Sequence, residues 1–170
     1  TYYLEARPVK EIEALYNSFE YYENIRTSHD IDFRVQLGDT AYIFKINGLT
    51  NVCGVTEMQI FGRTIQFDFN KNEIATGKNC APISLTASNG EITIIVDRCS
   101  IEIFADDGKI YMSCIDNDTF CDRNMPHLVI KSENETVIKN MEIHSLKSIR
   151  YNFPNRFIIY LPFPLFHFMP

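Results

Sequence analysis

The stretch that decides the fold is EITIIVDRCSIEIFADDGKIYMS, residues 91–113. Ile92, Ile94 and Val96 occupy alternate positions, and so do Ile101 and Ile103, but the two sets have opposite parity. Neighbouring side chains of a strand point to opposite faces, so one uninterrupted strand would place the two sets on opposite faces. A tight turn or bulge between them would return both sets to one face. The pattern therefore predicts two short strands joined near residues 97–100.

A second turn follows at Asp106-Asp107-Gly108, before the apolar run KIYMSCI. Asp and Gly favour tight turns because Asp can hydrogen-bond to nearby backbone and Gly adopts positive φ without steric cost. The quoted stretch is thus predicted to form three short antiparallel strands.

The rest of the chain to residue 149 shows the same kind of pattern. Residues 31–37, IDFRVQL, alternate apolar and polar side chains, which is typical of a half-buried strand. Turn signals separate further strand-like runs at Asn47-Gly48, at Gly62, at residues 70–72 and at residues 132–134. Short strands at this spacing predict an all-β fold, an antiparallel β-sandwich of the concanavalin or jelly-roll type.

The best helical signal lies near the N-terminus. Val9, Ile12, Leu15 and Phe19 follow one another at spacings of three and four and form one apolar stripe. Pro8 precedes them at a position that a first helical turn tolerates. A short N-terminal helix is therefore predicted.

Composition excludes several partners. The net charge is −6 and the basic residues form no cluster, which argues against a nucleic-acid or anionic-membrane surface. The five cysteines and four histidines show no metal-ligand spacing, so no metal site is expected and the cysteines are interpreted as buried free thiols. Nucleotide-binding motifs are absent from the sequence, and no cofactor is expected.

The length of 170 residues corresponds to one domain, assigned to residues 1–149, followed by an aromatic, proline-rich tail at residues 150–170. The tail is too short and too interrupted by proline for a membrane helix. Two interpretations of it remain open. It packs on the sandwich or on a neighbouring chain, or it is an incidental extension.

The charged residues of the quoted stretch raise the question of catalysis. Glycosidases place two carboxylates roughly 5–10 Å apart, whereas Glu102 and Asp106 would lie roughly 13 Å apart along a strand. Asp97 and Asp106 are better interpreted as turn residues, and Glu102 as a residue of the polar face. A third possibility is an ion pair between Asp97 and Arg98 that fixes the turn.

Three segments carry a resemblance to a known family. VDRCSIEIFADDG at residues 96–108, PVKEIEAL at residues 8–15 and MEIHSLKSI at residues 141–149 resemble the C-terminal β-sandwich of glycoside hydrolase family 32, the invertases, levanases and inulinases. Cys99 stands where the family usually has Ser. The resemblance spans about residues 5–149.

The resemblance implies that the catalytic residues lie on a separate N-terminal five-bladed propeller. The Asn-Asp-Pro-Asn-Gly, Arg-Asp-Pro and Glu-Cys motifs of that propeller are absent from this sequence, so no catalytic residue is expected on this chain. The implied function is an accessory domain that stabilises the propeller of a β-fructofuranosidase-type glycosidase. The alternative is a module that binds levan or inulin, with Asp97, Arg98 and Glu102 as candidate sugar ligands.

Overall fold

The structure is a computed structural model that describes residues 5–38, 41–84, 90–97, 100–115 and 128–147. These ranges contain twelve strands and two short 3₁₀ turns, at Lys10–Leu15 and Asp106–Gly108. The strands in chain order are β1 (Tyr16–Thr27), β2 (Phe33–Val35), β3 (Tyr42–Asn51), β4 (Val55–Ile60), β5 (Arg63–Asp68), β6 (Glu73–Thr76), β7 (Asn79–Pro82), β8 (Ile92–Val96), β9 (Ser100–Ala105), β10 (Ile110–Ile115), β11 (Leu128–Ser132) and β12 (Thr136–Leu146).

The strands form two antiparallel sheets of six. The first sheet has the order β1-β12-β3-β8-β9-β10, and the second has the order β2-β11-β4-β5-β6-β7. The two sheets share one apolar core. The predicted all-β antiparallel sandwich is therefore confirmed.

Alternation along the strands builds the core. Phe44, Ile94 and Ile103 of the first sheet have no exposed surface, or almost none, and they share one core with Ile65 and Phe67 of the second. Removing one such side chain from water contributes about 1.5–3 kcal/mol. The driving force for pairing the two sheets is thus distributed over every strand that carries an inward apolar set.

The quoted stretch folds as predicted. Val96 pairs with Ile101 and Ile94 pairs with Ile103, so both apolar sets face the core. The second turn leads from β9 into β10, which pairs with β9 from Ile110 to Ile115. The three short antiparallel strands and the turn that changes the parity are confirmed.

The N-terminal helix is present as the six-residue 3₁₀ helix Lys10–Leu15 and is shorter than the apolar stripe. Val9, Ile12 and Leu15 are spaced by three residues, which is the period of a 3₁₀ helix as well as a spacing found in α-helices. Phe19 does not continue the helix. It lies in β1 and is 58% exposed. The extension of the helical stripe to this residue is therefore wrong.

Asn47-Gly48 is not a turn, in contrast to the prediction. Strand β3 continues through both residues to Asn51. Gly48 has a φ of +63°, and a Cβ at this position would lie 2.6 Å from the Cβ of Lys139 on β12. Glycine is needed here because two strands approach each other closely inside the sheet. The Asn-Gly dipeptide therefore marks this close approach and not a turn.

A chain of buried hydroxyls joins the two sheets at one end of the sandwich. The Oγ1 of Thr56 lies 2.7 Å from the Oγ1 of Thr136 and 3.2 Å from the Oγ of Ser132. Ser132 in turn lies 2.8 Å from the hydroxyl of Thr27, and Asn51 donates to Thr136 at 2.8 Å. Because strands of both sheets contribute, these hydrogen bonds fix the sheets relative to each other.

Thr56→Val should lower the free energy of unfolding by about 1–3 kcal/mol, because it keeps the shape and removes the hydroxyl at the centre of this buried chain. Thr50→Val is the matched control, since Thr50 is exposed on β3, and it should change stability by less than about 0.5 kcal/mol. Urea unfolding followed by circular dichroism measures both variants. Equal midpoints for the two would contradict the role of the hydroxyl chain.

Candidate functional site

Asp97 closes the β8–β9 hairpin. Its Oδ1 accepts hydrogen bonds from the backbone N–H of Ser100 at 2.7 Å and from the Ser100 hydroxyl at 3.1 Å. The Asp97 N–H donates to the carbonyl oxygen of Ser100 at 3.1 Å. This carboxylate therefore performs the turn role that the sequence indicated, through local hydrogen bonds to the backbone.

Arg63 of the second sheet holds the same turn from inside the sandwich. Its Nη1 donates to the carbonyl oxygens of Asp97 at 2.9 Å and of Ser100 at 3.1 Å, and the residue is only 7% exposed. Sequence reasoning missed this residue, although a signal exists. Arg63 has the same parity as the buried Ile65 and Phe67, so the alternation that predicts β5 also predicts an inward guanidinium.

Glu102 lies in the middle of β9, on the outer face of the first sheet. It is half-buried, opposite Ile95 of β8 and Ser113 of β10. Asp97 follows the end of β8, and its carboxylate bonds to Ser100, two residues before Glu102 on β9. The third predicted sugar ligand, Arg98, lies outside the described residues. Sugar binding by these three residues stays a prediction.

The second acidic corner is a turn of left-handed residues. Asp106 and Asp107 have φ values of 50° and 54°, and Gly108 has a φ of 87°. Asp tolerates this region because its short side chain can hydrogen-bond locally. Asp106 also lies 3.5 Å from the Nζ of Lys109. The interpretation of Asp106 as a turn residue is thus confirmed.

Residues 5–15, here called the N-terminal segment, are attached to the first sheet at both ends. The N–H of Ala6 donates to the carbonyl oxygen of Gly108 at 2.8 Å, and Lys147 donates to the carbonyl oxygen of Leu15 at 2.8 Å. The Nη2 of Arg7 adds a hydrogen bond of 3.2 Å to the Asp107 carbonyl. A Cβ on Gly108 would lie 2.9 Å from the Ala6 oxygen, so the glycine permits this approach.

The outer faces of the two sheets differ in chemistry. On the first sheet Phe19, Tyr21, Tyr111 and Ile115 are each about half exposed or more. The first two lie on β1 and the last two on β10, which are the two edge strands of this sheet. The outer face of the second sheet carries mainly polar side chains, among them Arg34, Glu57, Gln59, Thr64, Gln66, Asp68, Glu73 and Lys131.

Cysteine placement departs from the expectation of buried thiols. Cys53 and Cys80 are exposed and Cys114 is half-buried, while Cys99 and Cys121 lie outside the described residues. Cys53 occupies the turn after β3 and Cys80 the edge strand β7, where little protein covers them. Among the residues that the structure describes, no three His, Cys, Asp or Glu side chains lie close enough to hold a metal ion.

No helix within the described ranges is long and apolar enough to cross a membrane.

The fold and the hairpin define an antiparallel β-sandwich domain, in which polar side chains at the turns form hydrogen bonds with the backbone. The sequence profile described as "Glycosyl hydrolases family 32 C terminal" matches residues 32–145. The chain therefore belongs to the family of C-terminal domains of glycosyl hydrolases family 32, and the resemblance seen in the sequence is confirmed.

The relatives that the chain matches are longer proteins. Levanase of Bacillus subtilis (strain 168) is 26% identical over 169 residues, which cover 84% of this chain and 24% of levanase. Exo-inulinase from Aspergillus awamori superposes with a TM-score of 0.60 at 12% identity, covering 84% of this chain and 32% of the enzyme. Sucrose-6-phosphate hydrolase from Lactobacillus gasseri gives 0.58 at 16% identity, with coverages of 87% and 32%. The chain thus spans about a quarter to a third of these proteins.

Arg63→Met should lower the free energy of unfolding by about 1.5–3 kcal/mol, because two carbonyl oxygens of the hairpin lose a charged donor. Arg34→Met is the matched control, since Arg34 pairs with Asp32 at the surface, where an ion pair contributes about 0–1 kcal/mol. Urea titration of both variants measures the difference. An Arg63 variant as stable as the Arg34 variant would show that the guanidinium does not hold the turn.

Proposed function

We propose that this chain is the non-catalytic accessory sandwich of a β-fructofuranosidase-type glycosidase and that it stabilises a catalytic propeller. In homologues of family 32 this domain stands alongside such a propeller. The match to only a quarter to a third of the relatives' length supports the proposal. So does the engagement of Asp97 and Asp106 in turns, where the first carboxylate bonds to the Ser100 backbone and the second lies beside Lys109.

The docked N-terminal segment is the observation that carries the proposal. An accessory domain can stabilise its neighbour only if the two are held in a defined orientation, and a flexible linker would not provide it. Here the segment is bonded to Gly108 at one end and to Lys147 at the other. A preceding domain would therefore be followed by a segment that is hydrogen-bonded to the sandwich at both ends.

The half-exposed aromatic residues of β1 provide a contact surface for the propeller. The rings of Phe19 and Tyr21 lie 6.3 Å apart, and Phe19 packs on His144 at 4.9 Å. Aromatic residues held rigidly at a surface are typical anchors of protein interfaces. The role of the tail at residues 150–170, which lies outside the described residues, stays open. That it packs on the sandwich or on a neighbouring chain stays a prediction.

Gly108→Ala in the native polypeptide, including whatever its gene encodes ahead of Thr1, should release the N-terminal segment. The Cβ would clash with the Ala6 carbonyl, so trypsin should cleave after Lys10 faster, and the melting temperature of the propeller should fall. Gly62→Ala is the matched control. Gly62 also has positive φ, at 81°, but a Cβ there meets nothing within 4 Å. Both variants carry a strain of about 1 kcal/mol.

Equal cleavage and equal melting of the two glycine variants would contradict the proposed role of the docked segment. The purified 170-residue chain should also release no fructose from sucrose, inulin or levan in a reducing-sugar assay. Hydrolysis that persists after repeated purification would show that the chain is itself an enzyme, which would refute the accessory role.

We infer as a second candidate function that the sandwich binds fructans. The observation that favours it is the half-buried position of Glu102 on the outer face of β9, close to the turn that holds Asp97, because a carboxylate accepts hydrogen bonds from sugar hydroxyls. Arg98, as the predicted donor, would complete this set.

Glu102→Gln should weaken levan binding about tenfold in isothermal titration calorimetry, because a charged acceptor is replaced by a neutral one. Glu102 is preferred over Asp97 for this test, since Asp97 also holds the hairpin. Glu57→Gln on the opposite sheet is the matched control and should leave binding unchanged. The absence of any heat with the wild-type chain would refute the binding function.

A further inference from the structure

A groove of about 230 Å³ lies between the N-terminal segment and the outer face of the first sheet. The segment contributes one wall, which includes Arg7, Lys10 and Glu13. Strands β3, β8 and β9 contribute the floor, which includes Lys45, Thr93 and Phe104. The groove exists because the segment is bonded to the sheet at its two ends and crosses the face between them.

The charges of the groove are balanced. Three cationic side chains and three carboxylates line it, namely Arg7, Lys10 and Lys45 with Glu13, Glu91 and Asp107. A site with one sign of charge would select an ionic ligand of the opposite sign. A lining with both signs offers donors and acceptors together, which matches a neutral ligand that carries many hydroxyl groups.

Several of these charged groups have unused hydrogen-bonding capacity. In the part of the chain that the structure describes, the side chains of Lys10, Glu13 and Lys45 form no ion pair or hydrogen bond with another residue. Glu91 is partly engaged, since it accepts a hydrogen bond from the Thr93 hydroxyl at 3.1 Å. A ligand in the groove could therefore be bound without breaking strong contacts within the protein.

The floor adds apolar surface between the charged groups. Ile43 and Phe104 are almost fully buried beneath the groove, and the ring of Tyr16 forms part of its side, with the Nζ of Lys45 6.0 Å from the ring centroid. Ligand sites typically combine such apolar surface with a few polar groups. The volume is smaller than the roughly 300–1,000 Å³ of sites for drug-sized ligands, so it fits one or two sugar rings.

The groove continues into the predicted hairpin site. Phe104 follows Glu102 by two residues on the same face of β9, and Thr93 precedes Ile95 by two residues on β8. Two residues of a strand span about 7 Å. A chain of sugar rings that begins in the groove could therefore extend along the outer face past Glu102 toward Asp97.

We propose that this groove binds the terminal ring of a neutral oligosaccharide, whose following rings lie over Glu102. The proposal rests on the second candidate function and locates its main binding site in the groove, with the hairpin residues as an extension. The saccharide class is a short fructan, and its terminal hydroxyls are bound by Lys45 and Glu13.

Amide chemical shifts of the ¹⁵N-labelled chain test the location. Titration with a β-(2→1)-linked fructose trisaccharide should change the amide chemical shifts of the groove residues Thr93, Phe104 and Gly108, and also that of Glu102. Fructose alone should change only the chemical shifts of the groove residues. Maltotriose serves as the control saccharide. Lys45→Gln and Glu13→Gln should each weaken trisaccharide binding about tenfold, because each removes a charged hydrogen-bonding partner. Glu57→Gln should leave it unchanged.

Two results would overturn the proposal, and they are distinguishable. Shifts confined to residues 97–102, with none in the groove, would refute the groove and leave fructan binding at the hairpin intact. No shift with any saccharide at millimolar concentration would refute fructan binding altogether. In neither case is the accessory role affected, because it depends on the separate comparison of Gly108→Ala with Gly62→Ala.

Discussion

The register of the β8–β9 hairpin is the constraint on which the sandwich depends. Val96 must lie opposite Ile101, because a slip of one residue would turn the apolar set of β9 away from the core. Polar contacts add to this apolar constraint on the register. Asp97 fixes it within the turn by accepting two hydrogen bonds from Ser100, and Arg63 fixes it across the sheets. Asp97, one of the acidic residues that raised the question of catalysis, therefore helps to specify the core.

The second turn, which contains Gly108, holds the N-terminal segment on the outside of the sandwich. The carbonyl oxygen of Gly108 accepts a hydrogen bond from the Ala6 N–H, and the backbone of Ala6 lies so close to Gly108 that a larger residue would clash with it. Because of this contact, the N-terminal segment is a part of the sandwich and not a linker. The segment also forms one wall of the groove. Orientation of a neighbouring domain and saccharide binding would thus depend on the same few backbone hydrogen bonds.

The sequence was sufficient for features that depend on local chemistry. Alternation, parity and turn residues predicted the three strands of residues 91–113, the spacing of further strands and turns predicted the sandwich, and the family resemblance agreed with both. Features that depend on distant residues were not predictable in this way. The role of Gly48 requires Lys139, and that of Gly108 requires Ala6. The 3₁₀ turn was predicted in place, but a spacing of three residues does not distinguish it from an α-helix.

Hydrogen exchange at the Ala6 amide of the wild-type protein tests the central claim most directly. This N–H is bonded to the Gly108 carbonyl, and the Lys147 N–H at the other end of the segment is bonded to Leu15. If the segment is an integral part of the sandwich, both amides should be protected to a similar degree, as amides of stable structure are. Exchange of Ala6 at the rate of an unstructured peptide, with Lys147 protected, would show that the segment is a free linker and would contradict the account.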